Sequence, residues 1–392
     1  MTKHYDVIII GGGAAGMFAA LRIGQKKRVL LIEATDRIGK KLLSTGNGQG
    51  NLTAEPFDFS RYHGGQAGFA EAALRAFDAA AAVRYFNQLG LVTVVEEGKV
   101  FPASKQASSV LDILRLALDA SGVTVLTGSP VRSVKKGRVF EVTTENGLWT
   151  ADNVILSTGG KATPTSPHFV GGYAIATNFG HTLTPLYPSL VQYKCDTTHL
   201  KVLKGVRTDV GLSVEDEAGK VWYKGRDEVL FTDYGLSGKV IFAASSYVAG
   251  ADLSRLTFYL DFLPDTTQAE LEEQLYKRKQ LVYLKEDVLC GLVKSQIAKA
   301  VTARAGKNHA LAACLKRFGV QPLSAYSFGT AQVTHGGVTT QQIHPETMES
   351  RLVKGLYLIG EMVDVDGDCG GYNLQWCWSS AAAAAKHLTE SK

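Results

Sequence analysis

Cysteine is scarce in this chain, and what there is follows no pattern. The five residues Cys195, Cys290, Cys314, Cys369 and Cys377 form an odd set without C-x-x-C spacing. That excludes a disulfide framework and fits a reducing compartment. The histidines show no metal-ligand spacing, so no metal is expected. No uncharged apolar run approaches the roughly eighteen residues of a membrane helix. The first apolar run begins almost at once and leaves no room for a signal peptide. The expected location is therefore the cytoplasm, with no membrane partner. A strong excess of one charge is also missing. Lys and Arg number 42 against 37 Asp and Glu, a net +5 with the two signs interspersed, so no nucleic-acid partner is expected. There is no internal repeat and no long linker, and the alanines at 381–385 simply continue a helical pattern.

The most informative stretch that is present is YDVIIIGGGAAGMFAALRIGQKKRVLLIE at residues 5–33. A buried strand at 7–10 stops at glycines. A small-residue helix over 14–24 follows, and then a second strand at 29–32 that ends on Glu33. Strand, glycine turn, helix, strand and acid within about thirty residues is the context of a dinucleotide fingerprint. Gly11 permits the tight turn, Gly13 lets a pyrophosphate approach, and Gly16 lets helix and strand pack closely. The phosphates would sit on the helix N-terminus, where free N–H groups and the dipole favour negative charge. Glu33 suits both hydroxyls of an adenosine ribose and disfavours a 2′-phosphate. The alternative, a glycine-rich turn in an ordinary α/β protein, does not account for the acid in register.

A chain of 392 residues is too long for one core and implies two or three domains. Residues 67–89 and 105–121 read as helices, and 123–126 as a third strand. A meander then turns at Lys136-Gly137 and Asn146-Gly147 and leads into a strand ending at Gly159 and Gly160. From 191 to 263 the pattern becomes short alternating strands. From 264 to 328 it becomes helical, with charge on one face. Glycine-rich α/β text then resumes, as THGGV at 334–338 and GLYLIGE at 355–361. The expected architecture is α/β: a Rossmann-like domain (1–190 and 329–392) interrupted by a β-rich insert (191–263) and a helical domain (264–328). Substrate is expected to enter between the nucleotide domain and the β insert.

Two further segments specify the cofactor. RIGKKLLSTGNGQGNLT at 37–53 is a donor-rich loop just after the second strand, with Thr45, Gly46, Asn47, Gly48, Asn51 and Leu52. Lys40 and Lys41 there would neutralise a pyrophosphate or face a flavin edge. Near the C-terminus a strand, the loop VDVDGDCGGYN and a helix at 374–388 place Gly370, Gly371, Tyr372 and Asn373 at a second helix start. A flavin needs this feature, because hydride at N5 leaves negative charge at N1 and the C2 oxygen. Asp366 or Glu361 would reach the ribityl or phosphate region through water. FAD is the expected cofactor, with a small-molecule substrate.

With these residues assembled, the chain resembles the BaiN-like family of FAD-dependent oxidoreductases, which includes aminoacetone-oxidase-like proteins. GGGAAGMFAA, IGKKLLSTGNGQGNLT, KVFPASKQASSVLDIL, ILSTGG, LFTDYGLSG, VTHGGV and GLYLIGEMVDVDGDCGGYNLQWCWSSA carry the resemblance, in order, over nearly the whole length. It implies a FAD-binding domain with a β-barrel-like insert and a small helical domain. It also implies FAD contacts at Gly11, Gly13, Ala14, Ala15 and Gly16, at Glu33, Ala34, Lys40 and Lys41, and in the 45–52 loop. Val131, Thr158, Gly159, Gly160, Gly360, Glu361 and the turn from Gly370 to Leu374 complete the set. The chain departs from the family pattern in three places. Gln49-Gly50 replaces an Arg-Cys pair, Asp233 and Lys239 replace the ends of a His-Tyr-Gly-Leu-Ser-Gly-Pro segment, and His335 occupies a position that is often small. The stretch 159–181 also resembles fumarate-reductase-type flavoproteins, where a glycine-led helix approaches the flavin.

The flavin carries hydride, so the protein must orient substrate and manage one proton. His335 is the catalytic candidate, set against the simpler role of bonding a loop carbonyl. Tyr372 is expected to stack or line the pocket, and Cys369 and Cys377 to be buried thiols. Three activities are open. The first is a reductase or dehydrogenase with NAD(P)H as a transient donor, since no second fingerprint exists. The second is a small-amine oxidase releasing peroxide. The third is a non-catalytic flavin protein touching RNA through Lys201, Lys204 and Arg207, which otherwise read as a solvated edge.

Overall fold

The computed structural model describes residues 3–66, 68–162, 171–284, 287–306 and 310–390. The chain forms two compact units, Met1–Tyr187 with Gln332–Lys392, and Pro188–Ala331.

In the first unit, β1 (Lys3–Ile10), α1 (Ala14–Gly24) and β2 (Val29–Ile32) take the places their apolar runs predict. Val7, Ile8 and Ile9 are fully buried, as both-sided burial of a parallel strand requires. β1 pairs in parallel with β2 on one side and with Gly147–Leu156 on the other. Thr124–Leu126 extends the sheet beyond β2, and Leu356–Leu358 joins Gly147–Leu156, both in parallel. The register lines up Ile10 with Ile32 and Leu156, Ile32 with Leu126, and Leu156 with Leu358. The strands therefore all stop at one edge. The segments that follow them (Gly11, Glu33, Ser157 and Ile359) emerge side by side, where open α/β sheets bind ligands.

The C-terminal helix (Tyr372–Glu390) packs along α1. The alanines at 381–385 are buried there, so small residues let the two helices approach. Phe18 and Trp378 meet at a tilt of 43° with centroids 5.4 Å apart, and burying a side chain such as Phe18 contributes about 1.5–3 kcal/mol. Residues 67–89 divide into Phe69–Ala76 and Ala79–Gln88. The break falls at Asp78, whose carboxylate accepts from the Ala81 N–H at 2.7 Å and caps the second helix. Ala67 lies outside the described residues.

The second unit is a seven-stranded sheet with helices on one hydrophobic core. Its longest hairpin pairs Arg207–Asp216 with Val221–Phe231. Val210, Leu212 and Val214 alternate into the core, as period two demands. The text at 239–247 departs from the strand pattern expected of 191–263: Lys239–Tyr247 is a helix. Val240, Ile241 and Ala244 recur at helical spacing on its buried side. The segment read as helical holds Gln268–Lys279, Ser295–Ala305 and Leu311–Lys316, the first with a Thr267–Glu270 capping box. It also holds two short strands, Phe318–Val320 and Pro322–Ala325, which pair into the sheet. Strands of three or four residues show no period in sequence. Lys204 and Arg207 are paired with Asp233 and Glu228 at 3.1 and 3.0 Å, which neutralises most of that basic cluster. Among the described residues no helix is long and apolar enough to cross a membrane.

Candidate functional site

The turn after β1 has the shape its glycines imply. A Cβ on Gly16 would lie 1.9 Å from the Gly11 carbonyl oxygen, and one on Gly11, with φ at +109°, 2.5 Å from that of Ser157. Gly13 is different: a Cβ there would meet nothing within 4 Å. Open space thus faces the start of α1, a helix that has no side-chain cap. Its first N–H groups have no intrahelical partner, and a pyrophosphate fits that vacancy of donors and sterics.

Glu33 is already aimed. Its Oε2 accepts from the Gly12 N–H at 2.8 Å, and its Oε1 from the N–H and hydroxyl of Thr35 at 2.8 and 2.9 Å. These bonds hold the carboxylate oriented at the turn, with Ala34 beside it. The Ser129 N–H donates to the Glu33 carbonyl, which brings Val131, two residues on, to the same edge.

Lys40 and Lys41 part company. The Lys40 ammonium pairs with exposed Asp36. That of Lys41 bonds Glu361 Oε2 at 2.5 Å. Glu361 Oε1 accepts from the Thr334 N–H at 3.0 Å. Gly160 is packed so closely that a Cβ would sit 2.9 Å from the same oxygen and 2.4 Å from the Thr334 hydroxyl. Lys41, Gly160, Thr334 and Glu361, far apart in sequence, form one cluster, and Thr158 and Gly159 lead into it. Gly360 touches both helices: its Cβ position is 3.0 Å from that of Ala15, and its carbonyl accepts from Trp376 at 3.1 Å.

At the second helix start Gly371, with φ at +99°, would place a Cβ 2.6 Å from the Thr53 carbonyl, so only glycine fits. Asn373 fastens the loop, accepting from the Gly367 N–H at 2.9 Å and donating to the Gly367 carbonyl at 2.6 Å. Tyr372 and Leu374 are buried. Tyr372 packs with Phe57 and Tyr62, so its ring faces other aromatic side chains. In the 45–52 loop, Gly46, Asn47 and Gly48 all have left-handed φ. The Leu52 carbonyl accepts from Trp378 at 3.1 Å. Buried Asn51 leaves its Oδ1 without a partner, as Asp366 does its Oδ2. Buried polar atoms are normally satisfied, so both fit a bound group bearing hydroxyls or N–H. The residues present therefore fit FAD: open space at Gly13, two helix starts, and two buried acceptors without partners.

His335 ends the strand Val333–His335. Its Nδ1 lies 2.9 Å from Oδ1 of Asp366, which is 0% exposed. Burial pulls the imidazole pKa down, but the hydrogen bond to Asp366 and the charges of Asp366 and Asp364 outweigh it and hold the pKa above the ordinary histidine value. Burial also raises the Asp364 carboxyl. Asp366 thus binds an imidazole directly through Oδ1, while its Oδ2 stays without a partner.

A second such pair went unread in the sequence. His63 Nε2 is 2.7 Å from Asp368 Oδ1, and Arg61 reaches the other oxygen at 3.3 Å. The short strands Tyr62–His63 and Asp366–Gly367 pair antiparallel, with His63 opposite Asp366. The signal was present in the acids at 364, 366 and 368, whose two-residue spacing is the one an extended segment uses to repeat a face, although only Asp366–Gly367 is a strand.

Cys369 is exposed, which corrects its reading as a buried thiol: the glycines beside it turn the chain outward. The Cys377 thiol is pushed up to about 12, by burial first and then by Glu361. It is protonated at neutral pH and is no redox partner. Residues 163–170 of the glycine-led stretch lie outside the described residues. Among the described residues no group of His, Cys, Asp and Glu could hold a metal.

Residues 5–387 match the family model described as HI0933-like protein Rossmann domain. Over 97% of its length the chain is 34% identical to a 3-dehydro-bile acid delta(4,6)-reductase of Clostridium scindens, 98% of which is covered. It is 32% identical to the ribosomal RNA dihydrouridine synthase of Escherichia coli, over the full chain and 99% of that protein. Among solved structures, a quinol-fumarate reductase superposes on all of this chain and 71% of its own, with a TM-score of 0.51 at 18% identity, a likeness of fold.

Proposed function

We propose that this chain, which belongs to the HI0933-like Rossmann family and is an FAD-dependent oxidoreductase, saturates a carbon–carbon double bond conjugated to a carbonyl in a small substrate. The observation that carries the proposal is the His335–Asp366 pair beside the Lys41–Glu361–Thr334 cluster. It is a proton donor tuned upward and placed at the residues that fit FAD. The names of the two similar proteins support the bond type. A Δ4,6 bond system beside a 3-oxo group and the 5,6 bond of uracil beside its 4-carbonyl are both conjugated to a carbonyl.

FAD, when bound, supplies the hydride chemistry, with NAD(P)H as the two-electron donor. The open start of α1 and Lys41 would hold its phosphates, Glu33 its adenosine ribose, and the start of the C-terminal helix its ring end. The β-carbon of the substrate gains hydride, and the α-carbon gains the proton that His335 gives up. Asp366 keeps the imidazole oriented and protonated for that transfer. NAD(P)H loses two electrons and the alkene gains two, so the reaction balances without oxygen.

The test is turnover of the holoenzyme under argon with NADH or NADPH and three probes: cyclohex-2-enone, a 3-oxo-4-ene steroid and a uridine-containing RNA oligomer. Loss of the enone ultraviolet absorbance with consumption of nicotinamide is expected. Turnover of the RNA alone would contradict the small-substrate reading. Peroxide released in air from aminoacetone, with every enone inert, would establish the oxidase reading instead.

A further inference from the structure

The glycine-led helix Gly171–Asn178 carries a group that the mechanism above does not use. Gly172 is pressed against Thr158 so tightly that a Cβ would lie 1.8 Å from the Thr158 hydroxyl. Thr158 leads through Gly159 to Gly160, which abuts Glu361 and Thr334. Tyr173, the next residue along the helix, is thereby fixed beside the cluster. It is 4% exposed, and its hydroxyl has no hydrogen-bond partner. Burial, with the charges of Glu361 and Asp364 adding to it, keeps the phenol protonated. Asp364 also acts on His335, so phenol and imidazole share an electrostatic neighbour.

A buried O–H without an acceptor is destabilising in itself and calls for an explanation. The reaction contains an acceptor that nothing else described here serves. As hydride reaches the β-carbon, negative charge moves onto the substrate carbonyl oxygen, and a preorganised donor there lowers the barrier. We infer that the Tyr173 hydroxyl donates a hydrogen bond to the carbonyl oxygen of the substrate and is a second catalytic residue, alongside His335. This role rests on the conjugated-carbonyl reading.

The test compares the Tyr173→Phe holoenzyme with the wild type for flavin content, melting temperature, binding of cyclohexanone (a ketone it cannot reduce) and turnover of cyclohex-2-enone. Removing an unpaired hydroxyl should leave flavin content unchanged and the melting temperature equal or higher. Ketone affinity should fall, and kcat with the enone should drop by about a hundredfold, the scale of losing one such donor. A lower melting temperature with kcat within threefold of the wild type would show that the hydroxyl is structural and would overturn the inference. A wild type that reduces no enone would overturn the reading of the reaction itself, an outcome visible before the variant is made.

Discussion

Replacing Gly13 by alanine should leave a protein that folds but loses its flavin. Gly13 has φ −78° and ψ −170°, ordinary extended backbone for any residue, and a Cβ there meets no atom of the protein within 4 Å. The fold has no reason to demand glycine. The demand comes from the pyrophosphate, which must approach the backbone at the space the methyl would fill. FAD affinity should therefore weaken by about a hundredfold, roughly 2.7 kcal/mol, with the melting temperature of the apoprotein unchanged. Gly16→Ala should do the reverse. A methyl 1.9 Å from the Gly11 carbonyl forces helix and strand apart, an overpacking that costs about 3 kcal/mol and lowers the apoprotein melting temperature by several degrees. Fluorescence titration with FAD and thermal melts of both apoproteins separate the two. Equal effects on binding and stability would mean that the open space at Gly13 is not the phosphate site.

His335→Gln should lower kcat by about 10²- to 10⁴-fold, the range for losing a positioned acid, with flavin content intact. The sign of the pH dependence follows from the raised pKa. The acid form is active, so the wild-type rate falls as pH rises through a value above the ordinary histidine one. In Asp366→Asn the carboxylate no longer opposes burial and only Asp364 still raises the imidazole, so the alkaline limb moves to lower pH. Stability has the same sense. The contribution of the pair is complete below the unfolded value of about 6.5 and is lost as pH rises through the raised folded value. A pH profile of kcat for wild type and Asp366→Asn measures the shift. Superimposable profiles would remove His335 from the proton step.

How much of this was legible in the sequence depended on distance along the chain. The β1–α1–β2 fingerprint is local: turn, helix start and acid lie within one supersecondary unit, and Gly16 packs on Gly11 inside it. The second helix start was legible for the same reason, although its packing on Thr53, Phe57 and Tyr62 was not. The unit at 188–331 was harder. Strands of three residues carry no period, and the helix Lys239–Tyr247 sits between strands with an apolar spacing too short to separate from theirs. The paired side chains were least legible. His63 finds Asp368 across 305 residues, and Lys41 finds Glu361 across 320. The first meeting is made by the short antiparallel pair Tyr62–His63 and Asp366–Gly367, the second by segments that follow two strands of the parallel sheet, and no local pattern encodes either. Tyr173 was hidden differently: only burial reveals that its hydroxyl has no partner.

The most direct test of the account uses the reduced holoenzyme without any nicotinamide. The protein is bleached photochemically under argon and mixed with an enone, and its absorbance is followed through one turnover. The account predicts that the yellow colour returns in the absence of oxygen, with one equivalent of saturated ketone formed per equivalent of flavin. A protein that stays bleached with every conjugated carbonyl offered, and regains its colour only when air is admitted, would contradict it.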